Sequence, residues 1–218
     1  MTNIIETILN YVYPNVCGFC DEICKENICP NCKQRLGKYK REQILYTFNK
    51  SFDELIYLYE YGDLIRERLI KYKFNEKAYI YKAFADAILN SKKICEKIKT
   101  CDIIVPVPIH RVRLIERGYN QSTLIAKEIA KNTCIELESR ILLKCKNNKP
   151  QSTLSGLERK NNIKNVYIIN TNEQYKIANK RVLIFDDIYT TGATINECSK
   201  VLKKYGAKEV IALVIAKD

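Results

Sequence analysis

Two groups of residues in this chain have the types and spacing to do chemistry. The first is Cys17-x2-Cys20, then eight residues, then Cys29-x2-Cys32. A CxxC turn sets two thiolates on one side, and two such turns close a tetrahedral sulfur site that suits zinc. A closed shell leaves no open position, so the metal would be structural; a redox-active or metal-free module is the competing reading. Cys24 lies between the pairs and complicates the choice of ligands, but the repeated CxxC spacing favours the paired cysteines. Cys95, Cys101, Cys134, Cys145 and Cys198 are scattered and read as small buried apolar residues.

The second group runs from Val182 to Glu197, VLIFDDIYTTGATINE. Val182 to Phe185 is a short apolar run of the kind a buried parallel strand uses, and Asp186 and Asp187 fall where that strand would end. A loop of Ile188 to Thr194 then turns into a helix whose apolar residues, Ile195, Cys198, Val201 or Leu202 and Tyr205, keep a helical period. Gly206 marks its stop, and Val210 to Ala216 is a second apolar run. Small residues around one glycine can aim successive N–H groups at one point, with the hydroxyls of Thr190, Thr191 and Thr194 and a helix N-terminus behind them. That nest suits a phosphate. The carboxylates would repel the phosphate, but can accept from neutral hydroxyls one sugar-length away or hold Mg²⁺. Together these features describe a ribose 5-phosphate site; an acidic strand end followed by a Thr-rich helix cap is the plainer account. The GK[ST] of a nucleoside-triphosphate loop does not occur here.

DDIYTTGAT resembles the phosphoribosyl-diphosphate motif of type I phosphoribosyltransferases. The resemblance implies that Asp186, Asp187, Thr190, Thr191, Gly192, Ala193 and Thr194 hold phosphoribosyl diphosphate with Mg²⁺.

These groups must be positioned by the rest of the chain. Asp102 to Ser122, DIIVPVPIHRVRLIERGYNQS, opens with a buried strand, Ile103 to Val107, ended by Pro106 and Pro108. The segment behind it reads as a loop carrying Arg111, Arg113 and Arg117, whose guanidinium forks suit a diphosphate. A helix from Ser122 to Lys131 follows. In open α/β sheets the loops at the strands' C-terminal ends line one crevice, so this loop and the Thr-rich loop would face each other. His110, the chain's single histidine, reads as a local structural residue.

Leu36 to Phe48 is basic and mixed, and reads as a linker. Leu55 to Tyr61 is a predicted strand in which Tyr57, Tyr59 and Tyr61 alternate, as on a packed sheet face or, alternatively, a stacking surface for bases. A helix follows from Gly62 to about Lys71, and another over Ala78 to Ser91. Lys71 and Lys73 suit a helix C-terminus, with phosphate contact the alternative. Arg140 to Cys145 is a short predicted strand. Asn147 to Asn165 is polar and basic and reads as a mobile loop, with Lys149, Arg159 and Lys160 as candidate ligand contacts or merely surface charge.

At 218 residues the chain has room for one full domain and a small module. Met1 to Tyr13 has helical apolar spacing and no basic head, and no apolar run reaches membrane length. A reducing, cytoplasmic setting follows, and ten cysteines in that setting do not imply disulfides. A net charge of +12 is compatible with a polyanionic partner, although the basic residues form no single block.

PVPxxxxRxxxRGxNQ, preceded by the cysteine module and followed by DDxxTTGAT, resembles the ComF family of competence-associated proteins. Gln151, Arg159 and Asn162 also match its pattern, so the resemblance spans Cys17 to Ala216. It implies an α/β fold: a parallel-sheet type I phosphoribosyltransferase-like domain over residues 48–218, preceded by a zinc-binding module with its linker over 1–47. It also implies Arg111, Arg117 and Arg159 as diphosphate contacts, and single-stranded DNA and the DNA-uptake machinery as partners. Enzymes of this fold transfer a ribosyl phosphate to a nitrogen base. Many purine-specific members carry an acid where this chain has Thr190, and a threonine cannot serve as a base near neutral pH.

Overall fold

The computed structural model describes residues 14–74, 77–147 and 166–218. The predicted helix at Met1–Tyr13 and the loop bearing Lys149, Arg159 and Lys160 lie outside these residues.

Six strands form one sheet, in the order β1 (Lys40–Tyr46), β2 (Glu54–Glu60), β8 (Glu209–Lys217), β7 (Arg181–Tyr189), β3 (Ile103–Pro106) and β4 (Glu136–Leu137). β1 runs antiparallel to β2, and every other pairing is parallel. The four-residue β3 and the β7 run Val182–Phe185 are wholly buried because both faces are covered. Alternation sorts the side chains between those faces. Ile104, Leu183, Phe185, Ile211, Leu213 and Ile215 enter one core. Ile103, Val105, Val182, Ile184, Val210, Ala212 and Val214 enter the other.

The first core is closed by α2 (Asp63–Phe74), α3 (Ile80–Leu89), α4 (Lys92–Ile98) and α6 (Gln121–Thr133), and the cysteine segment joins it through Cys17, Phe19, Ile28, Cys29, Cys32 and Leu36. The second is closed by α7 (Ala193–Lys204), through Ile195, Cys198 and Leu202, and by a separate antiparallel pair, β5 (Leu142–Lys144) with β6 (Tyr167–Ile169). The short α1 (Pro30–Gly37) and α5 (Arg111–Arg117) complete the described elements used below.

Three local expectations change. Leu36–Phe48 is not a linker: it holds the end of α1 and then β1, hydrogen-bonded to β2 as the sheet's edge. The arginine-bearing segment is not a loop but helix α5. His110 caps it, its Nδ1 accepting from the Val112 N–H at 3.3 Å, and Gly118 ends it in the left-handed region at φ 74°. The acidic pair does not follow β7 but lies inside it, because pairing with β8 continues to Tyr189↔Lys217. Tyr59 is buried in the first core and Tyr57 packs partly against the second, so this strand's tyrosines serve packing. Among the described residues no helix is long and apolar enough to cross a membrane.

Candidate functional site

The phosphate-nest segment begins at the end of β7 and bends through Thr190 and Thr191 to Gly192, the N-cap of α7. Gly192 has φ +70°, and a Cβ there would lie 2.4 Å from the Tyr189 ring. Tyr189 cannot easily yield, since it packs edge-on against the buried Phe52 with ring centroids 6.2 Å apart. Only glycine meets both demands. The turn is steadied by the Ala193 N–H, which donates to Thr191 Oγ1 at 3.4 Å, and by the Asn196 N–H, which donates to the Gly192 carbonyl at 2.9 Å. Asp186, Ile188, Thr190, Gly192, Ala193, Thr194 and Ile195 line one shallow, solvent-open hollow. The carboxylate and the hydroxyl-bearing loop therefore share a concavity.

The two carboxylates have different surroundings, because successive strand residues face opposite sides of the sheet. Asp187 is buried and ion-paired with Lys73 of α2. Burial works against the charge on Lys73, but Asp187 and then Asp186 outweigh it and raise its pKa. Asp186 accepts from the Asp187 N–H at 2.9 Å and from Ser122 Oγ at 3.3 Å. Burial, reinforced by the neighbouring Asp187, pushes its carboxyl up to about 7, although Lys73 and these donors pull the other way. The pair can hold a proton or a cation near neutral pH.

PVP…RGYNQ proves largely architectural. Asn120 Nδ2 donates to the Val107 carbonyl at 3.0 Å, and its Oδ1 caps α6 through the Ser122 N–H at 3.1 Å. Tyr119 stacks on Tyr72 at 5.8 Å and donates to the Tyr72 carbonyl at 2.7 Å. Gln121 Oε1 accepts from Arg117 at 3.2 Å. Arg117 is turned inward, within electrostatic reach of Asp187, and burial followed by Arg113 lowers its pKa. Arg113 is paired with Glu116 at 3.4 Å, whereas Arg111 is exposed at the start of α5. Of the diphosphate candidates, the structure brings Arg117 to the acidic pair and leaves Arg111 on the surface; Arg159 lies outside the described residues.

Sequence patterns did not reveal Ser122, Lys144 and Tyr167 as neighbours of this site. Lys144 Nζ lies over the Tyr167 ring, 5.7 Å from its centroid, and the Tyr167 hydroxyl is hydrogen-bonded with Thr194 of the hollow. Burial lowers the Lys144 pKa, opposed first by the charge of Asp186. The register Lys144↔Tyr167 creates this contact, and no local signal announces it. Lys73 reads from the sequence as a helix-end cation or a phosphate contact; in the structure its partner is Asp187, while Lys71 pairs with Glu67 one turn earlier at 2.7 Å.

The second site is the cysteine cluster. The Sγ atoms of Cys17, Cys20, Cys29 and Cys32 all lie within 4.8 Å of one another. Cys20 and Cys29 are 3.7 Å apart, and tetrahedral zinc–sulfur bonds of about 2.3 Å give sulfur–sulfur edges of about 3.8 Å. Cys17 accepts from the Cys29 and Phe19 N–H groups at 3.3 and 3.4 Å, and Cys29 from Cys32 N–H at 3.4 Å. Burial alone would push the Cys17 thiol up, yet these donors bring it down to about 7, favouring the thiolate a metal needs. Cys20, with fewer such donors, is pushed up to about 11 by burial. The donor set fits zinc. Cys24 lies outside the cluster and donates to the Glu26 carbonyl at 2.8 Å.

Residues 121–218 match the phosphoribosyl transferase domain family. The chain is 26% identical to competence protein F of Haemophilus influenzae over 205 residues, covering 86% of this chain and 89% of that one. It is 28% identical to competence protein ComFC of Bacillus subtilis over 179 residues, 82% of this chain and 67% of that one. Among solved structures it is similar to the allosteric regulatory enzyme of purine biosynthesis, at 19% identity and a TM-score of 0.38. That match covers 62% of this chain and about a quarter (26%) of the solved one.

Proposed function

This chain belongs to the ComF family, and from that premise we propose that it acts in DNA uptake during natural transformation and binds phosphoribosyl diphosphate with Mg²⁺ at the end of β7. One observation carries the ligand assignment. Asp186 shares its hollow with a glycine-hinged, threonine-bearing loop at the N-terminus of α7. In this reading Asp186 and Asp187 accept from the ribose hydroxyls. The Thr190–Thr194 loop holds the 5-phosphate through N–H and hydroxyl donors. Arg117 approaches the diphosphate, joined by Arg111 and Arg159. Bound Mg²⁺ would neutralise diphosphate charge. Zinc, held by Cys17, Cys20, Cys29 and Cys32, is structural. We assign residues 1–47 to the zinc module, whose last strand, β1, extends the sheet of the phosphoribosyl domain at 48–218, and place the protein in the cytoplasm with single-stranded DNA and uptake proteins as partners. The family relation and the charge of +12 support that assignment.

Calorimetric titration of the full chain with phosphoribosyl diphosphate and Mg²⁺, beside an Asp186→Asn/Asp187→Asn variant, tests the ligand assignment. Micromolar binding by the wild type and its loss in the variant are expected. A folded, zinc-loaded wild type that binds nothing would sink the assignment. Single-stranded DNA affinity, measured on the same pair by fluorescence anisotropy, should stay within about twofold if DNA is held elsewhere.

A second reading, transfer of the ribosyl phosphate to a nitrogen base, has one feature in its favour. The Asp186 carboxyl, pushed up to about 7, can exchange a proton at neutral pH. Thr190 argues against a purine acceptor. Pyrophosphate release on adding candidate bases separates turnover from binding.

A further inference from the structure

Helix α2 touches both sites. Arg68, 4% exposed, donates from one guanidinium nitrogen to both carboxylate oxygens of Asp21 at 3.1 Å. Asp21 directly follows the zinc-ligand candidate Cys20, at φ 66°, and also accepts from Lys77 at 2.8 Å and Tyr79 at 2.6 Å. Five residues further along, Lys73 is ion-paired with Asp187. Between them the buried Tyr72 donates its hydroxyl to the Gln121 carbonyl at 2.9 Å, in the first turn of the helix that follows Arg117.

Helical geometry explains how one element serves both ends. At about 100° and 1.5 Å per residue, Ile65, Leu69 and Tyr72 form a single stripe, with Arg68 on one shoulder and Lys73 on the other about 7.5 Å further along. All three stripe residues are buried in the first core, so the helix cannot roll or slide without repacking. The module end is equally tight. A Cβ on Gly18 would lie 2.5 Å from the Ala83 Cβ, and Phe19 packs edge-on against Phe84 at 5.4 Å. The cysteine knuckle is therefore braced against α2 and α3 by packing and by the pairing of a buried guanidinium with a half-buried carboxylate.

We propose that α2 is a strut that sets the acidic pair according to the state of the cysteine module, with Arg68 and Lys73 as positioning residues for the phosphoribosyl site. Metal on the module fixes Cys20 and hence Asp21. Arg68 then fixes the helix, which presents Lys73 to Asp187 and Tyr72 to Gln121. Loss of the metal releases Asp21 and loosens the far end.

The test is hydrogen exchange by mass spectrometry on the full chain, as zinc-loaded wild type, chelator-stripped wild type, Arg68→Met and Lys73→Met. Stripping and Arg68→Met should each speed exchange about fivefold in peptides covering 182–195 and 111–121, with 40–60 unchanged. Lys73→Met should do so in 182–195 and leave 14–37 at wild-type rates. Changes confined to 14–37, or spread evenly over all peptides, would overturn the proposal. If Arg68→Met does not fold, Arg68→Lys, which keeps the charge and loses the fork, should show a smaller shift in the same peptides. A second arm rests on the ligand reading above: Arg68→Met should bind phosphoribosyl diphosphate with Mg²⁺ about fivefold more weakly. A wild type that binds none refutes that reading alone, because the exchange data still decide for or against the strut.

Discussion

The cysteine module and the phosphoribosyl site are built in opposite ways. The module draws its candidate ligands from residues 17–32, and short-range backbone geometry preforms it: N–H groups within the two CxxC turns already point at the sulfurs of Cys17 and Cys29. The phosphoribosyl site draws on Lys73, Arg117, Ser122, Lys144, Tyr167 and Asp186–Thr194, and the sheet must form before they meet. In the proposed reading the first site's metal serves stability, whereas the second keeps buried charge that lowers stability and would serve a ligand, the usual trade at functional sites.

Metal removal should break that comparison most visibly. Zinc stripping, or Cys29→Ser, deletes the organising centre of a segment continuous with the first core. A fall in melting temperature of about 10 °C or more is expected by calorimetry. A drop of only one or two degrees would mean that packing alone holds the module. At the other site, Asp186→Asn/Asp187→Asn should weaken phosphoribosyl diphosphate by about 100-fold or more, and should also cost about 1–3 kcal/mol in melts, because relief of the Asp186 desolvation is outweighed by leaving Lys73 without its Asp187 partner.

The buried charge gives a subtler contrast. Asp186 has a folded pKa of about 7, above its unfolded value, so the folded chain holds the extra proton between about pH 4 and 7. Stability from this group is therefore greatest at the acid end of that window and declines as pH rises through it. Asp186→Asn should flatten the decline, gaining about 1–2 kcal/mol over wild type at pH 8 and almost nothing at pH 4 in urea melts. An identical pH profile in the variant would show that Lys73, the Asp187 N–H and the Ser122 hydroxyl fully compensate the charge. The smallest effect is expected at the hinge. Gly192→Ala meets the Tyr189 ring and an unfavourable φ, and should cost about 1 kcal/mol in melts, with a larger loss in ligand affinity because the phosphate-facing N–H groups turn away.

Much of this was legible in the chain's own order. The apolar runs at 103–107, 182–185 and 210–216 are strands, and CxxC repeats with intervals short enough to close a ring of sulfurs locally. The RGYNQ segment shows where pattern misleads. Its polar residues look like ligand contacts, yet Gly118, Tyr119 and Asn120 end one helix, start the next and pin both to the Tyr72 and Val107 carbonyls. The basic run at Leu36–Phe48 carries no apolar alternation, because an edge strand has one neighbour and little to bury; only pairing with β2 makes it a strand.

By itself the sequence determined the buried central strands, the candidate metal ligands and the acidic, threonine-rich turn, because each depends on residues a few positions apart. Tertiary structure alone decided that Asp186 and Asp187 have separate surroundings, that Lys73 neutralises one of them, and that Lys144 stands over Tyr167 beside the hollow. It also decided that the helix bearing Lys73 bears Arg68 against the cysteine module. These relations follow from strand order and helix packing between segments dozens of residues apart, and no periodicity encodes which buried charge a distant helix will bring.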